Sequence, residues 1–216
     1  AHLRGRHIQV CFDLGAEDID IILLAEPRRE LRICAYNEYA IVRYLLRTRW
    51  PAVVVHRVNE CDERKGTSGV NQRLRRANRC ADYTVFVSAW LQNLHLRQGF
   101  PCREHQVIRN GSDRSVFSSE AYRPWDGTAP LRLVTHHWSS NPMKGFDIYR
   151  RLDALLASDA FKDKISFAYI GNLPEGFRFQ HAQYHEPLHG PELARLLSQH
   201  HVYVSASQHE PGPNHQ

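Results

Sequence analysis

The chain has a single methionine, no Cys-x-x-C pair and no apolar run of membrane-spanning length. Its five cysteines, Cys11, Cys34, Cys61, Cys80 and Cys102, are odd in number and widely spaced. That argues against a disulfide framework or a zinc site and for a reducing compartment. The longest apolar stretches, such as 19–25, fall far short of the roughly 18 residues a helical span requires. No charged segment followed by an apolar one opens the chain, so no signal peptide is read there. With 42% hydrophobic and 24% charged residues, 12 Gly and 11 Pro, the composition excludes a collagenous, low-complexity or wholly disordered chain. Its 216 residues leave one large domain or two small ones open and suffice for a core without disulfide or metal support.

Neither sign of charge dominates. Lys plus Arg is 28 and Asp plus Glu is 23, a net charge of +5. Such mild basicity fits an anionic small molecule, an acidic membrane surface or nucleic acid, and chooses among none of them. Arg73, Arg75, Arg76 and Arg79 crowd one stretch and Arg43, Arg47 and Arg49 another. Both read as solvated helix faces, and the RNA-binding aromatic signature is absent. There are fourteen histidines. His181 and His185 are spaced to share a helical face, but no acidic or cysteine partner stands at a metal-motif spacing. They read as surface and core histidines, and no metal site is expected.

Along the chain, β-branched runs alternate with amphipathic stretches. Strands are expected over 19–24, 52–56, 83–88 and 106–108, with helices over 36–49, 70–80 and 89–98. The run 52–56 is unbroken in apolarity, the mark of a strand covered on both faces. From 112 to 130 the pattern lapses into polar, Pro/Gly-bearing chain, read as a connection between domains. It then restarts with strands over 131–136, 166–170 and 202–205 and helices over 146–156 and 191–199. This order predicts two α/β units with parallel sheets. Ligands in such sheets bind beyond the carboxyl ends of the strands, which singles out His56, Ser88, Asn110, His137, Gly171 and 205–216.

Four of these places carry chemistry. After the last strand, Glu210 precedes Pro211-Gly212-Pro213-Asn214, a turn able to bare backbone N–H groups to an anion. Lys144-Gly145 opens a helix after a polar loop containing Asn141, where a lysine can offer a point charge to a phosphate. Asn110-Gly111-Ser112-Asp113 closes the first half, and His56 ends an apolar strand. Taken singly, each has a plain structural reading; their order gives them weight.

That order resembles the retaining glycosyltransferase family four (group one), whose members fold as two Rossmann-like domains, the GT-B fold. Such enzymes carry Asn-Gly-x-Asp before the second domain, a Lys-Gly opening its first helix and a Glu-x7-Glu motif after a later strand. Asn110, Gly111 and Asp113 match the first, Lys144-Gly145 the second, and Glu210 the first Glu of the third. The second Glu would fall two residues past Gln216. Two departures stand out. The Gly-rich loop that opens the family's first domain is missing, and Trp138 stands where an Arg often precedes the Lys. The chain is thus expected to be an internal piece of a longer enzyme, truncated at both ends. An acceptor-side domain over 1–118 would lack its first strand, and a nucleotide-sugar domain over 119–216 would also be incomplete.

The resemblance implies a hexosyltransferase that moves a sugar from a nucleotide-diphosphate donor to an acceptor hydroxyl with retention, without metal or cofactor. Glu210, Lys144 and His56 would be the catalytic residues. Lys144 would offset diphosphate charge, Glu210 would contact sugar hydroxyls and His56 would touch the transferring sugar. Gly171, Asn141, Pro211, Gly212, Pro213 and Asn214 would line the donor, with Asn110, Gly111 and Asp113 as the interdomain motif. The acceptor would be a glycan, lipid or small molecule. A cytoplasmic place is expected, with peripheral contact at the inner face of a membrane left open and nucleic acid set aside. The alternatives are a nucleotide-sugar 2-epimerase of the same fold, a non-catalytic sugar-nucleotide-binding piece, and a basic nucleic-acid binder built on Arg73–Arg79.

Overall fold

The computed structural model describes residues 8–28 and 34–212. The chain divides into two compact units, Ala1–Asn110 with Pro211–Pro213, and Gly111–Glu210 with Asn214–Gln216. Phe117, which lies ahead of the division expected at 118 and 119, packs on the core of the second unit.

The first unit runs β1 (Ile21–Leu24), α1 (Glu38–Thr48), β2 (Val53–Val58), α2 (Asp62–Lys65), α3 (Val70–Ala77), β3 (Tyr83–Phe86), α4 (Ala89–Arg97) and β4 (Glu104–Val107). The four strands form one parallel sheet in sequence order. Asn37 caps α1 by accepting from Ala40 N (3.1 Å), and Arg49, left-handed at φ 55°, ends it. Ser88 caps α4 in the same way, as its place after a strand predicts. The buried residues alternate along the strands. Ile22, Leu24 and Val54 meet Ile41 and Tyr44 of α1, while Val58 and Phe86 meet Leu74 and Leu91. Each such side chain withdrawn from water contributes roughly 1.5–3 kcal/mol. The intervening Ile21, Leu23, Val53 and Tyr83 are exposed. Coverage of β2 on both faces, expected from its apolar run, is therefore not found among the described residues. The run is apolar because β-branched residues favour a pleated strand on either face.

The second unit runs β5 (Leu131–His137), α5 (Phe146–Leu156), β6 (Ile165–Gly171), β7 (Gln183–His185), α6 (Gly190–Ser198) and β8 (Val202–Tyr203). Its parallel sheet has the order β7-β6-β5-β8. Here both faces are covered. Phe146 and Tyr149 of α5 pack on Phe167 and Tyr169, whereas Leu193 of α6 packs on Val134, Ala168 and Ile170. The central strand β6 is accordingly buried from Phe167 to Gly171. Asp153 of α5 fixes the approach to β7 by accepting from the backbone N–H groups of Gln180, His181 and Ala182 (2.7–2.9 Å). His181 and His185 thus belong to a strand and its approach, not to one helical face. At the end of α6, the His200 ring donates from Nδ1 to the Leu196 carbonyl (2.8 Å), satisfying one of the helix's last acceptors. Among the described residues no helix is long and apolar enough to cross a membrane.

Candidate active site

Strand order selects the place. In the second unit the chain steps outward from β5 to β6 to β7, then returns to β8 on the other side of β5. That reversal makes the carboxyl ends of β5 and β8 the switch point, the place where open α/β sheets hold ligands. Lys144 follows β5, Glu210 follows β8, and the two meet there: Nζ of Lys144 donates to Oε2 of Glu210. Their side chains are only 11% and 13% exposed.

Local chemistry brings them together. Asn141 Oδ1 accepts from Met143 N (2.8 Å), starting a single 3-10 turn over Pro142–Lys144. Gly145, at φ 81°, swings the chain into α5. A Cβ on Gly145 would stand 2.3 Å from the Ala206 carbonyl oxygen, so only glycine lets the two loops approach this closely. Met143 O accepts from Gln208 N (2.8 Å). The Tyr149 hydroxyl accepts from Ala206 N (3.0 Å) and bonds His137 Nε2 (2.7 Å). The loop after β8 is therefore tied to the loop after β5 by one backbone bond, Gln208 to Met143, and to α5 by the Tyr149 hydroxyl.

Burial, assisted by the nearby Lys144 charge, holds His136 below the ordinary imidazole range. Burial pushes Tyr203 up to about 12 and raises Tyr149. The amino end of α5 has no side-chain cap, so its partial positive charge adds to that of Lys144. Ser207 Oγ, in the loop after β8, is buried with no hydrogen-bond partner among the described residues. Together these groups offer cationic charge and donors for an anion, with a carboxylate beside them. No group of three or more His, Cys, Asp or Glu side chains able to hold a metal occurs among the described residues.

The other expected site residues are spread more widely. Gly171 ends β6 at φ 135°, and a Cβ there would stand 1.9 Å from the His137 carbonyl oxygen. It lets β6 close on β5 where Asn172 N donates to that same oxygen (3.3 Å). Asn141 is engaged in its turn. In the first unit Asn110 accepts from Arg57 Nη2 and donates to the Gly212 carbonyl, both at 2.6 Å. Gly212 itself leaves no room for a side chain, since a Cβ would lie 2.8 Å from Val87 Cγ2. Pro211 is buried. Gly111 is exposed, and Asp113, in the second unit, caps a turn by accepting from Ser115 N (2.9 Å). Pro213 and Asn214 lie outside the described residues.

His56 requires correction. The strand expected to end there continues to Val58, so His56 sits mid-strand with its ring fully buried. Its Nδ1 bonds Asn78 Oδ1 (2.7 Å) and its ring stacks on Phe100. Burial lowers its pKa to about 4, which leaves it neutral. It is a core histidine without access to a sugar. Arg57 carries the strand onward because its guanidinium reaches Asn110. Asn59 and Glu60 are the residues that stand at the true carboxyl end of β2. Sequence reading also missed the positioning part played by Tyr149, which resembles any core aromatic of an amphipathic helix.

No protein-family model and no curated protein matches the chain. Solved structures do resemble it. Sucrose-phosphate synthase from Thermosynechococcus elongatus matches with a TM-score of 0.57 at 13% identity, over 90% of this chain and 52% of its own. Anabaena HepE, solved with UDP-glucose, gives 0.54 at 12% over 86% and 52%. The pneumococcal O-GlcNAc transferase GtfA, solved with UDP and GlcNAc, gives 0.51 at 13% over 76% and 35%. The chain thus spans about half the length, or less, of these structures. At such identities the likeness shows the fold: an α/β chain of the GT-B type with two parallel sheets flanked by helices.

Proposed function

We propose that the chain belongs to a glycosyltransferase that moves a sugar from a nucleotide-diphosphate donor to an acceptor hydroxyl, with retention and without a metal. The observation that carries this reading is the Lys144–Glu210 pair, held nearly out of water at the switch point beside an uncapped helix amino end. Breaking a glycosidic bond to a diphosphate requires that the leaving charge be stabilised by groups already in place. In this reading the diphosphate takes the place of the Glu210 carboxylate against Lys144. The α5 amino end adds its dipole, and Glu210, released, accepts from hydroxyls of the donor sugar. Gly171 lets β6 close on β5 beside the site, and Asn141 and Gly145 hold Lys144 in its turn. His56 takes no part. UDP-sugars are the natural first donors to try, because two of the similar structures were solved with UDP or UDP-glucose.

The test is steady-state kinetics on a polypeptide that contains this chain and turns over. Lys144→Ala should lower kcat/KM at least about tenfold, since a hydrogen bond to a charged group contributes roughly 1.5–3 kcal/mol. Glu210→Gln should lower kcat and kcat/KM together, as expected for a contact that strengthens in the transition state. Transfer should persist in EDTA. Wild-type kinetics for Lys144→Ala, or loss in EDTA restored by Mn, would overturn the reading.

A further inference from the structure

Helix α1 turns an unusual face outward. Its buried side is Glu38, Ile41 and Tyr44. On the opposite side, at helical spacing, Tyr39, Val42 and Leu46 are exposed at 53%, 43% and 75%, and Trp50 follows just past the helix at 41%. Arg43 and Arg47 flank this stripe on the same helix, and Arg49 ends it. The one acidic residue of the helix, Glu38, points inward and accepts from Arg76 Nε (3.1 Å). Among the described residues Arg43, Arg47 and Arg49 have no carboxylate partner; Arg47 reaches only the Leu14 carbonyl. The fold also brings the second arginine run to this place. The Arg76 guanidinium lies over the Tyr39 ring, and the turn Asn78–Cys80, bearing exposed Arg79, packs against α1.

From these observations we infer that the outer face of α1 docks on an anionic phospholipid bilayer surface. A helix face carrying Leu, Val and an aromatic with arginines beside them is suited to lie in the headgroup plane. Trp50 and Tyr39 are the residue types that settle at that level. The arginines meet the negative surface potential, and that attraction falls off within a Debye length. Nucleic acid would satisfy the arginines but leave Leu46 and Val42 in water, so the stripe argues for lipid. The inference does not rest on the glycosyl-transfer reading, and vesicle binding and donor turnover are measured separately.

Cosedimentation tests it. The chain should bind vesicles of phosphatidylcholine and phosphatidylglycerol in equal parts, leave pure phosphatidylcholine in the supernatant, and dissociate as salt rises. Replacing Arg43 and Arg47 together by Ala should weaken binding about thirtyfold. Leu46→Asp, at an exposed position that leaves the circular dichroism unchanged, should weaken it at least about tenfold. Failure to bind the anionic vesicles would overturn the inference, as would binding indifferent to Leu46→Asp. Tighter retention on a short duplex than on vesicles, unaffected by Leu46→Asp, would also overturn it and assign the face to nucleic acid.

Discussion

Consider removing one member of the Lys144–Glu210 pair. The side chains are 11% and 13% exposed, so each charge is largely out of water yet not sealed from it. Pairs on open surfaces contribute about 0–1 kcal/mol. Removing one partner of a fully buried pair costs roughly 3–5 kcal/mol, because the other charge is stranded. This pair lies between those limits, so Lys144→Met and Glu210→Gln should each destabilise the second unit by about 2 kcal/mol. The double variant should lose little more than either single one, a coupling of about 1.5–2 kcal/mol, because it strands no charge. Native-state amide exchange of β5 and β6 reads this directly. Exchange at Phe167–Ile170, which limits the unit's opening, should speed up about thirtyfold in each single variant. High salt should change the coupling little. Additive effects of the two substitutions would refute the argument, since they would mean that the charges do not depend on each other in the folded state.

Two further outcomes follow from the same geometry. His56 has a folded-state pKa of about 4, below the ordinary 6.5. The unfolded chain therefore binds the extra proton first as pH falls, and stability should drop between about pH 6.5 and 4, by about 3 kcal/mol in total from this group. Urea titrations of His56→Gln should show a slope against pH shallower by about one proton than wild type; parallel slopes would remove the assignment. Gly171→Ala would drive a Cβ into the His137 carbonyl at φ 135°, so it should cost about 3 kcal/mol and open the carboxyl end of β5 against β6. A melting temperature equal to wild type would contradict that close approach.

The parallel α/β fold was largely legible in the sequence, for physical reasons. Phe146–Leu156 carries a strong helical period because both α5 and the sheet it covers need a continuous apolar stripe, and its bounds were read to the residue. Lys144 and Glu210 were found through strand order and turn residues, which fix where a loop begins. Their pairing was not legible, because it depends on β8 returning beside β5, a choice among strand orders that local pattern does not make. His56 was misplaced because a polar residue after Val53-Val54-Val55 reads as a strand end. The chain instead bonds its Nδ1 to Asn78 and continues through Arg57. Strand β7 escaped notice because Gln183, Tyr184 and His185 form a short edge strand with little to bury. The exposure of Leu46 and Val42 was hidden for a similar reason, since the period of α1 does not say which apolar residues face the core.

The central claim is that Lys144 stands ready for a diphosphate at the β5–β8 switch point. Isothermal titration of the chain with UDP, GDP and ADP tests it most directly. At least one should bind saturably, and Lys144→Met should weaken that binding about tenfold or more, with its native circular dichroism retained. Absence of saturable binding by all three, or equal affinity in Lys144→Met, would contradict it.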